Sequence, residues 1–568
     1  MSDLTGADVV VGALKAAGVD TIFGVISIHN IPIFDAIQRQ GGIRLVASRG
    51  EAGAVNMADA YARAGGRLGV AITSTGTGAG NACGALVEAQ TAGSAVLHLT
   101  GQIETAHLDQ GKGFIHEARD QPTTLRGVSK KAFRLTHAAA LPGLLHEAMR
   151  EALAAPRGPI SIELPIDLQA GSQPPSPAAF AVRVGPGEGR GEGTPASGLP
   201  RISWRLPDRA APAASDIASA AALLSRASRP LIFAGGGVIA SDAGPELQLV
   251  AERLGAPVLT SNSGRGAIPE DHPLCVGNWV HSPALWPFLE SRDAILIVGS
   301  HLRGNETVNW TAPLPRRAVQ IDADPLALGR SYPVEIGIAA DAKLALAQLA
   351  EHLRPREQPA SLPAELETAL TKARAQLEES LGAYAPMLRA MRAQLPRNGL
   401  FVRDVTVPAS TWGNRLFPIY EPRTNIFPVG GGIGQGLQMA IGGQLAQPDR
   451  RVLCLAGDGG LMVNAGEMAT AVQEGLPIVL VLFNDAGYGV LRNIQTAHYG
   501  GRHIGVDLRQ PNFQGLARSM GWQSWCVQEP AAFDQALAEA FAAQASALVE
   551  IDMTAIGPIV YAGPPGRG

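Results

Sequence analysis

Cysteine is scarce in this 568-residue chain, with four residues, Cys83, Cys275, Cys454 and Cys526, set far apart. No pair has the short spacing of a metal site and no disulfide framework is evident, so the chain is expected in a reducing cytoplasm. Charge is thin as well. Charged residues make up 17% of the chain and the net charge is −4, so nothing points to nucleic acid or an anionic membrane as partner. No apolar run approaches the ~20 residues of a membrane span. The opening MSDLTGADVVVGAL has no basic region ahead of an apolar core and is not expected to be a signal peptide. What is abundant is apolar residues, at 46%, which suits well-filled cores. At ~100–200 residues per domain, the length suggests about three or four domains.

Apolar runs alternate with helix-like patterns along the chain, which predicts α/β architecture with doubly wound parallel sheets in three domains. The first, residues 1–172, ends in PISIELPIDLQ. Residues 173–212 are rich in Pro, Gly, Ser and Arg and read as a linker. Residues 213–353 form a Rossmann-like middle segment with apolar runs PLIFA, APVLT, AILIVG and AVQID. Residues 354–375 are polar and read as a second linker, and residues 376–568 form the third domain. An internal echo joins the ends of the chain. LGVAITS, a Gly-rich turn and Asn81-Ala82-Cys83-Gly84 match RVLCLA, a Gly-rich turn and Asn464-Ala465-Gly466-Glu467.

The most informative stretch lies in the second copy. Val452 to Ala456 reads as a buried strand, and Gly457-Asp458-Gly459-Gly460 follows it. A helix is predicted from Asn464 to Glu474, then a second apolar strand, Ile478 to Phe483, running into Asn484-Asp485. In a parallel βαβ unit both strand ends fall on one edge of the sheet, where ligands bind. Asp458 and Asn484 would converge there as hard oxygen ligands, suited to Mg²⁺ bridging a diphosphate. Glycines beside them let backbone N–H groups approach phosphate oxygens.

This pairing of Gly-Asp-Gly with a downstream Asn resembles the signature of thiamine diphosphate enzymes. The likeness extends over nearly the whole chain, to the acetolactate synthase-like, benzaldehyde lyase and benzoylformate decarboxylase branch. Phe23-Gly24, Arg49-Gly50-Glu51, Met57 to Arg63, and Thr73-Ser74 with Asn81 sit where that family's motifs sit. The resemblance implies a pyrimidine-binding first domain, a central domain and a diphosphate-binding third domain. It implies that Asp458, Asn484 and the Ala486 carbonyl hold Mg²⁺. Backbone around Gly457, Gly459, Gly460, Gly487 and Tyr488 would then hold the diphosphate. Glu51 would contact N1′ of the aminopyrimidine. A carboxyl group able to share that proton drives the 4′-imino tautomer that activates the cofactor, and a raised pKa suits the exchange. Gly50 stands where the family has a histidine, which does not carry the N1′ contact. In Pro428 to Leu437, Ile433 would prop the cofactor in its bent form and the Gly431 carbonyl would accept from the 4′ amine.

Two histidines fall in pocket positions. His29 matches a benzaldehyde lyase histidine in its spacing from Phe23-Gly24, and His116 lies near where relatives place a glutamine. Either imidazole could shuttle protons at a substrate carbonyl. Ser74, Gln110, Val490 and Ile494 are further pocket candidates, the last two apolar and suited to an apolar substituent. FAD or ADP is known in the central domain of some relatives. Gly235-Gly236-Gly237 follows a strand here, but the usual flavin-contacting pattern is missing, so a structural middle domain is expected. The resemblance implies a carbon–carbon lyase or carboligase acting on a small molecule beside its carbonyl. A 2-oxo acid decarboxylase or acetolactate synthase-like enzyme leads. The alternatives are a cyclic 1,2-diketone hydrolase, a 2-hydroxyacyl lyase, or a catalytically silent regulatory homologue. It also implies a homo-oligomer with sites between subunits, a homodimer at minimum and a homotetramer by preference.

Overall fold

The structure is a computed structural model that describes residues 4–172, 204–357 and 359–559. Most of the expected first linker, residues 173–203, and the last nine residues of the third segment lie outside the described residues.

Three six-stranded sheets carry the fold, and every strand pairing in them is parallel. The first contains β1 (Thr21–Gly24), β2 (Arg44–Ala47), β3 (Gly69–Thr73), β4 (Val96–Gln102), β5 (Lys131–Arg134) and β6 (Ile160–Pro165). The second contains β7 (Pro230–Ala234), β8 (Val258–Thr260), β9 (Cys275–Gly277), β10 (Ala294–Val298), β11 (Ala318–Asp322) and β12 (Ile336–Ala339). The third contains β13 (Leu400–Arg403), β14 (Asn425–Ile426), β15 (Val452–Gly457), β16 (Ile478–Asn484), β17 (Gln523–Val527) and β18 (Ala547–Asp552). The first and third share one strand order, β2-β1-β3-β4-β6-β5 and β14-β13-β15-β16-β18-β17. This is the three-dimensional form of the internal echo. The middle sheet, β12-β11-β10-β7-β8-β9, has the Rossmann order read from its far edge.

Seven helices matter below. They are α1 (Glu51–Gly65), α2 (Thr77–Ala92), α3 (Leu362–Glu379), α4 (Gly436–Ala446), α5 (Asp458–Val463), α6 (Glu467–Gln473) and α7 (Gly489–His498). The chain divides into two compact units. One comprises Met1–Asp208 with Pro428–Gln447 and Asn464–Leu476, and so holds the first sheet with α1, α2, α4 and α6. The other comprises Arg209–Phe427, Pro448–Val463 and Pro477–Gly568, and holds the second and third sheets.

One local expectation needs correction. The stretch read as a second linker, 354–375, contains most of α3, whose Leu362, Leu366, Leu370 and Ala373 are buried in the core around the second sheet. Their helical spacing is diluted by the Glu, Lys and Arg between them, so composition hid an amphipathic helix. The helix expected from Asn464 to Glu474 is present as α6, and a short helix, α5, precedes it. Asp458 itself opens α5, and the chain breaks at Asn464, whose amide donates to the Gly434 carbonyl at 2.9 Å, before α6 begins. In the middle sheet the glycines after β7 have a packing reason. A Cβ on Gly235 would lie 2.1 Å from the Gly299 carbonyl oxygen, and one on Gly237 2.6 Å from Gly299 Cα.

His98 on β4 is fully buried between the Thr73 hydroxyl (2.8 Å from Nε2) and the Ser161 hydroxyl (3.0 Å from Nδ1). Burial pushes its pKa down from 6.5 to about 4, so it stays neutral in the folded chain. Below pH 6.5 the unfolded chain binds a proton here that the folded chain refuses, so stability falls on acidification. Between pH 6.5 and 5 this group accounts for about 2 kcal/mol. Thermal unfolding followed from pH 7 to 5 should fall less steeply for His98→Gln than for the parent; equal slopes would clear this histidine.

Candidate active site

The third sheet brings the diphosphate motif together. β15 and β16 pair in register with Gly457 opposite Phe483, so Asp458 and Asn484 leave adjacent strands at the same carboxyl edge. Asp458 is buried, and its Oδ2 accepts the Gly487 N–H at 2.8 Å. Asn484 is held by Glu550 of β18, whose Oε1 accepts from Nδ2 at 2.8 Å, while Oδ1 accepts the Ala486 N–H at 3.2 Å. Burial pushes Asp458 up to about 7, with the neighbouring Asp485 charge adding to it. Burial raises Asp485 as well, against the pull of Arg492. Two carboxyl groups pressed together away from water are what a divalent cation would relieve, and the donors here are all oxygen, as Mg²⁺ prefers. The residues therefore fit a cation holding a diphosphate.

The Ala486 carbonyl is engaged differently from the role the resemblance gives it. Ala486 has φ +56°, and its oxygen accepts from the Leu508 N–H at 2.9 Å and from Arg492 at 3.2 Å. Coordinating a cation there would require one of those bonds to be released. Two glycines stand where a side chain would be crowded. A Cβ on Gly459 would lie 2.7 Å from the Tyr488 ring, and one on Gly487 2.0 Å from the Val506 carbonyl oxygen. Gly460 is buried in the first turn of α5. Asp404 and Thr406, absent from the sequence-based candidates, follow β13 at the point where the strand order reverses. Thr406 Oγ1 lies 3.2 Å from the Cβ position of Gly457. The apolar Leu400-Phe401-Val402 run ahead of them was the available signal.

In the other unit Glu51 is the first residue of α1, a half-buried carboxylate at a helix N-terminus. Asn81 donates to its Oε2 at 3.2 Å. Gly78 leaves room for both Glu51 and Ser74, since a Cβ there would lie 2.8 Å from Glu51 Oε1 and 2.7 Å from Ser74 Cβ. Beside Ser74 stand the two histidines. Ser74 Oγ is 3.4 Å from His116 Nδ1, and the His116 and His29 rings lie 5.5 Å apart between centroids. His29 is buried and its Nδ1 has no partner. Burial, and then the His116 charge, hold its pKa below 6.5. His116 takes φ +63°, and its carbonyl oxygen lies 1.9 Å from where a Cβ of Gly76 would stand. In the Gly-rich loop Gly431 and Gly434 take φ of +82° and +78°, and Ile433 between them is 40% exposed.

The remaining candidates separate. Gln110 is exposed, and its amide donates to the Ala106 carbonyl at 2.6 Å. Val490 and Ile494 are half-buried on α7, in the unit that holds Asp458. Large apolar side chains beside the histidines face solvent in the single chain, among them Ile26, Ile28 and Ile115, each more than half exposed.

A parallel sheet that presents a buried carboxylate and glycine-rich turns at the carboxyl ends of its strands offers the kind of edge at which diphosphate-bearing ligands bind. The family comparison is specific. Models described as thiamine pyrophosphate enzyme N-terminal TPP binding domain, central domain and C-terminal TPP binding domain match residues 4–123, 217–349 and 408–551. A probable 2-ketoarginine decarboxylase of Pseudomonas aeruginosa is 32% identical over 546 residues, covering 94% of this chain and 90% of the relative. The large subunit of acetolactate synthase isozyme 1 of Escherichia coli is 27% identical, covering 99% and 96%. The solved thiamine diphosphate-dependent 4-hydroxybenzoylformate decarboxylase of Rhodococcus jostii RHA1 superposes with TM-score 0.80 at 25% identity, covering 96% of this chain and 99% of that one. The chain belongs to the thiamine pyrophosphate (thiamine diphosphate) enzyme family, and it is an enzyme of the decarboxylase and acetolactate synthase-like branch. Among the described residues no helix is long and apolar enough to cross a membrane.

Asn30 is the anchor of the histidine pocket. It is fully buried, accepts the Ser27 N–H at 2.8 Å, and donates to the Val25 and Thr73 carbonyls at 3.0 and 3.2 Å. Asn30→Ala strands those three groups and should cost about 2 kcal/mol or more, read as a lowered denaturation midpoint.

Proposed function

We propose that this chain decarboxylates a 2-oxo acid bearing an apolar side chain, with thiamine diphosphate held through Mg²⁺. The observation that carries this is the convergence of His29, His116, Ser74 and the Glu51–Asn81 pair at one edge of the first sheet. Relatives named as a 2-ketoarginine decarboxylase and a 4-hydroxybenzoylformate decarboxylase support the decarboxylation, while the apolar Val490 and Ile494 are what suggest the apolar substituent. Bound thiamine diphosphate supplies an electron sink for breaking the bond beside the carbonyl. The protein's work is to hold and to time. Asp458, Asn484 and Ala486 hold the cation. Backbone at Gly457, Gly459, Gly460, Gly487 and Tyr488 holds the diphosphate. Glu51 keeps an exchangeable proton at the pyrimidine N1′, Ile433 props the ring, and the Gly431 carbonyl takes its amine.

His29, kept neutral by burial, offers a nitrogen to the substrate's carbonyl or carboxylate oxygen, and His116 passes a proton in the same space. Val490 and Ile494 bound the substituent. The exposed isoleucines near the histidines support burial by a second copy of the chain, so the working form is a homo-oligomer, most simply a homotetramer. The scattered cysteines support a reducing cytoplasm. The second reading is an acetolactate synthase-like condensation, favoured by relatives of that name matched over nearly their full length. Product analysis on a panel of 2-oxo acids, 2-hydroxy ketones and cyclic diketones separates the two. An aldehyde with carbon dioxide supports decarboxylation, and a 2-hydroxy-2-alkyl-3-oxo acid supports condensation.

Asp458→Ala should abolish Mg²⁺-dependent thiamine diphosphate binding in calorimetry; parent-like affinity would overturn the cation assignment. His29→Ala and Glu51→Gln should part company. His29→Ala should keep cofactor affinity and C2–H exchange while losing roughly 10²–10⁴-fold in turnover, whereas Glu51→Gln should lose C2–H exchange itself. An unchanged turnover for His29→Ala on the true substrate would move the proton-transfer role to His116.

A further inference from the structure

Two buried carboxylates outside the residues just named grip the two loops on which the proposed ring contacts sit. The first is Glu467, the opening residue of α6. The helix that begins with Glu51 has Gly50 as its N-cap, which offers no side chain to its first N–H groups. Glu467 instead holds the two N–H groups immediately ahead of that helix. Its Oε1 takes the Arg49 N–H at 3.0 Å, the Gly50 N–H also bonds to the carboxylate, and Oε2 is steadied by the Thr470 hydroxyl at 2.6 Å. A Cβ on Gly53 would lie 2.2 Å from that Oε1, so the carboxylate lies directly on the helix backbone.

The second is Glu88 on α2. Its two oxygens accept the N–H groups of Val429 and Gly430, the latter at 2.8 Å, at the head of the loop that carries Gly431 and Ile433 into α4. Both glutamates are 2% exposed. Burial raises the pKa of each, and Asp59 adds to this for Glu88, while the backbone N–H groups hold both down. The arrangement is reciprocal. α1 and α4 enter from equivalent places in two sheets of identical strand order, and each entrance is held by a carboxylate from the other copy of the repeat. The helices themselves touch backbone to backbone, since a Cβ on Gly442 would lie 2.1 Å from the Met57 carbonyl oxygen. A buried carboxylate costs far more to desolvate than a serine or threonine cap. Capping a helix is therefore too small a task to account for either.

We propose that Glu467 and Glu88 are positioning residues, Glu467 setting the place of the Glu51 carboxyl and Glu88 that of the Gly431 carbonyl and Ile433. This rests on the functional reading above for what Glu51 and Gly431 do, but the grips can be tested without cofactor. Backbone amide exchange on the full-length apo protein, read by mass spectrometry, is the primary measurement. Glu467→Gln should speed exchange roughly tenfold or more at Arg49 and Gly50 and leave Val429 and Gly430 unchanged. Glu88→Gln should do the reverse. Thr470→Val, which loosens Glu467 without touching it, should give a smaller change confined to Arg49 and Gly50, and serves if Glu467→Gln does not fold. At saturating thiamine diphosphate, Glu467→Gln should then slow C2–H exchange by roughly 10–100-fold per folded molecule. Unchanged protection at both loops, equal loosening of both by either variant, or parent-like C2–H exchange in Glu467→Gln would overturn the proposal. If Glu51→Gln also exchanges C2–H like the parent, the reading of Glu51 has failed, and the selective loop responses still report on the grips alone.

Discussion

The parallel pairing of two strands buried on both faces is the constraint on which the proposed cofactor site depends. β15 and β16 have no solvent face to spare along their apolar stretches, so polar residues can appear only where the strands stop. Because the strands run the same way and pair in register, they stop together, and Asp458 and Asn484 emerge side by side. The same logic operates in the first sheet. Ser74 follows β3, the His29 loop follows β1, and the helix beginning at Glu51 follows β2.

The second theme is how polar groups are kept out of water. The site needs carboxylates in places where desolvation opposes their charge, and the chain meets this with backbone N–H donors more often than with basic side chains. Asp458 takes the Gly487 N–H, Glu467 those of Arg49 and Gly50, and Glu88 those of Val429 and Gly430. Such donors are rigid and carry no counter-charge, so they fix geometry while leaving room for a cation or a proton to complete the balance. The glycines serve this arrangement. Gly53, Gly78 and Gly430 each stand where a Cβ would strike a carboxylate oxygen.

Much of this was legible beforehand because it is local. The Gly-Asp-Gly-Gly turn between two apolar strands, the repeat of that pattern near the N-terminus, and the three-sheet α/β class all follow from period, composition and turn chemistry. What was misread was also local. The helix α3 passed for a linker because charged residues outnumber the Leu362, Leu366 and Leu370 stripe.

The sequence by itself determined the strands and the order of the turns, because each depends on neighbours along the chain, and its resemblance to a known family pointed to the coenzyme class. Only the tertiary structure decided that His29 and His116 face one another, that Glu550 orients Asn484, and that Glu467 and Glu88 reach across the repeat to grip the opposite loop. Those pairings join residues from tens to hundreds of positions apart. No periodicity records such separations, and only the packing of α1 on α4 and the register of the parallel strands bring the partners within bonding distance.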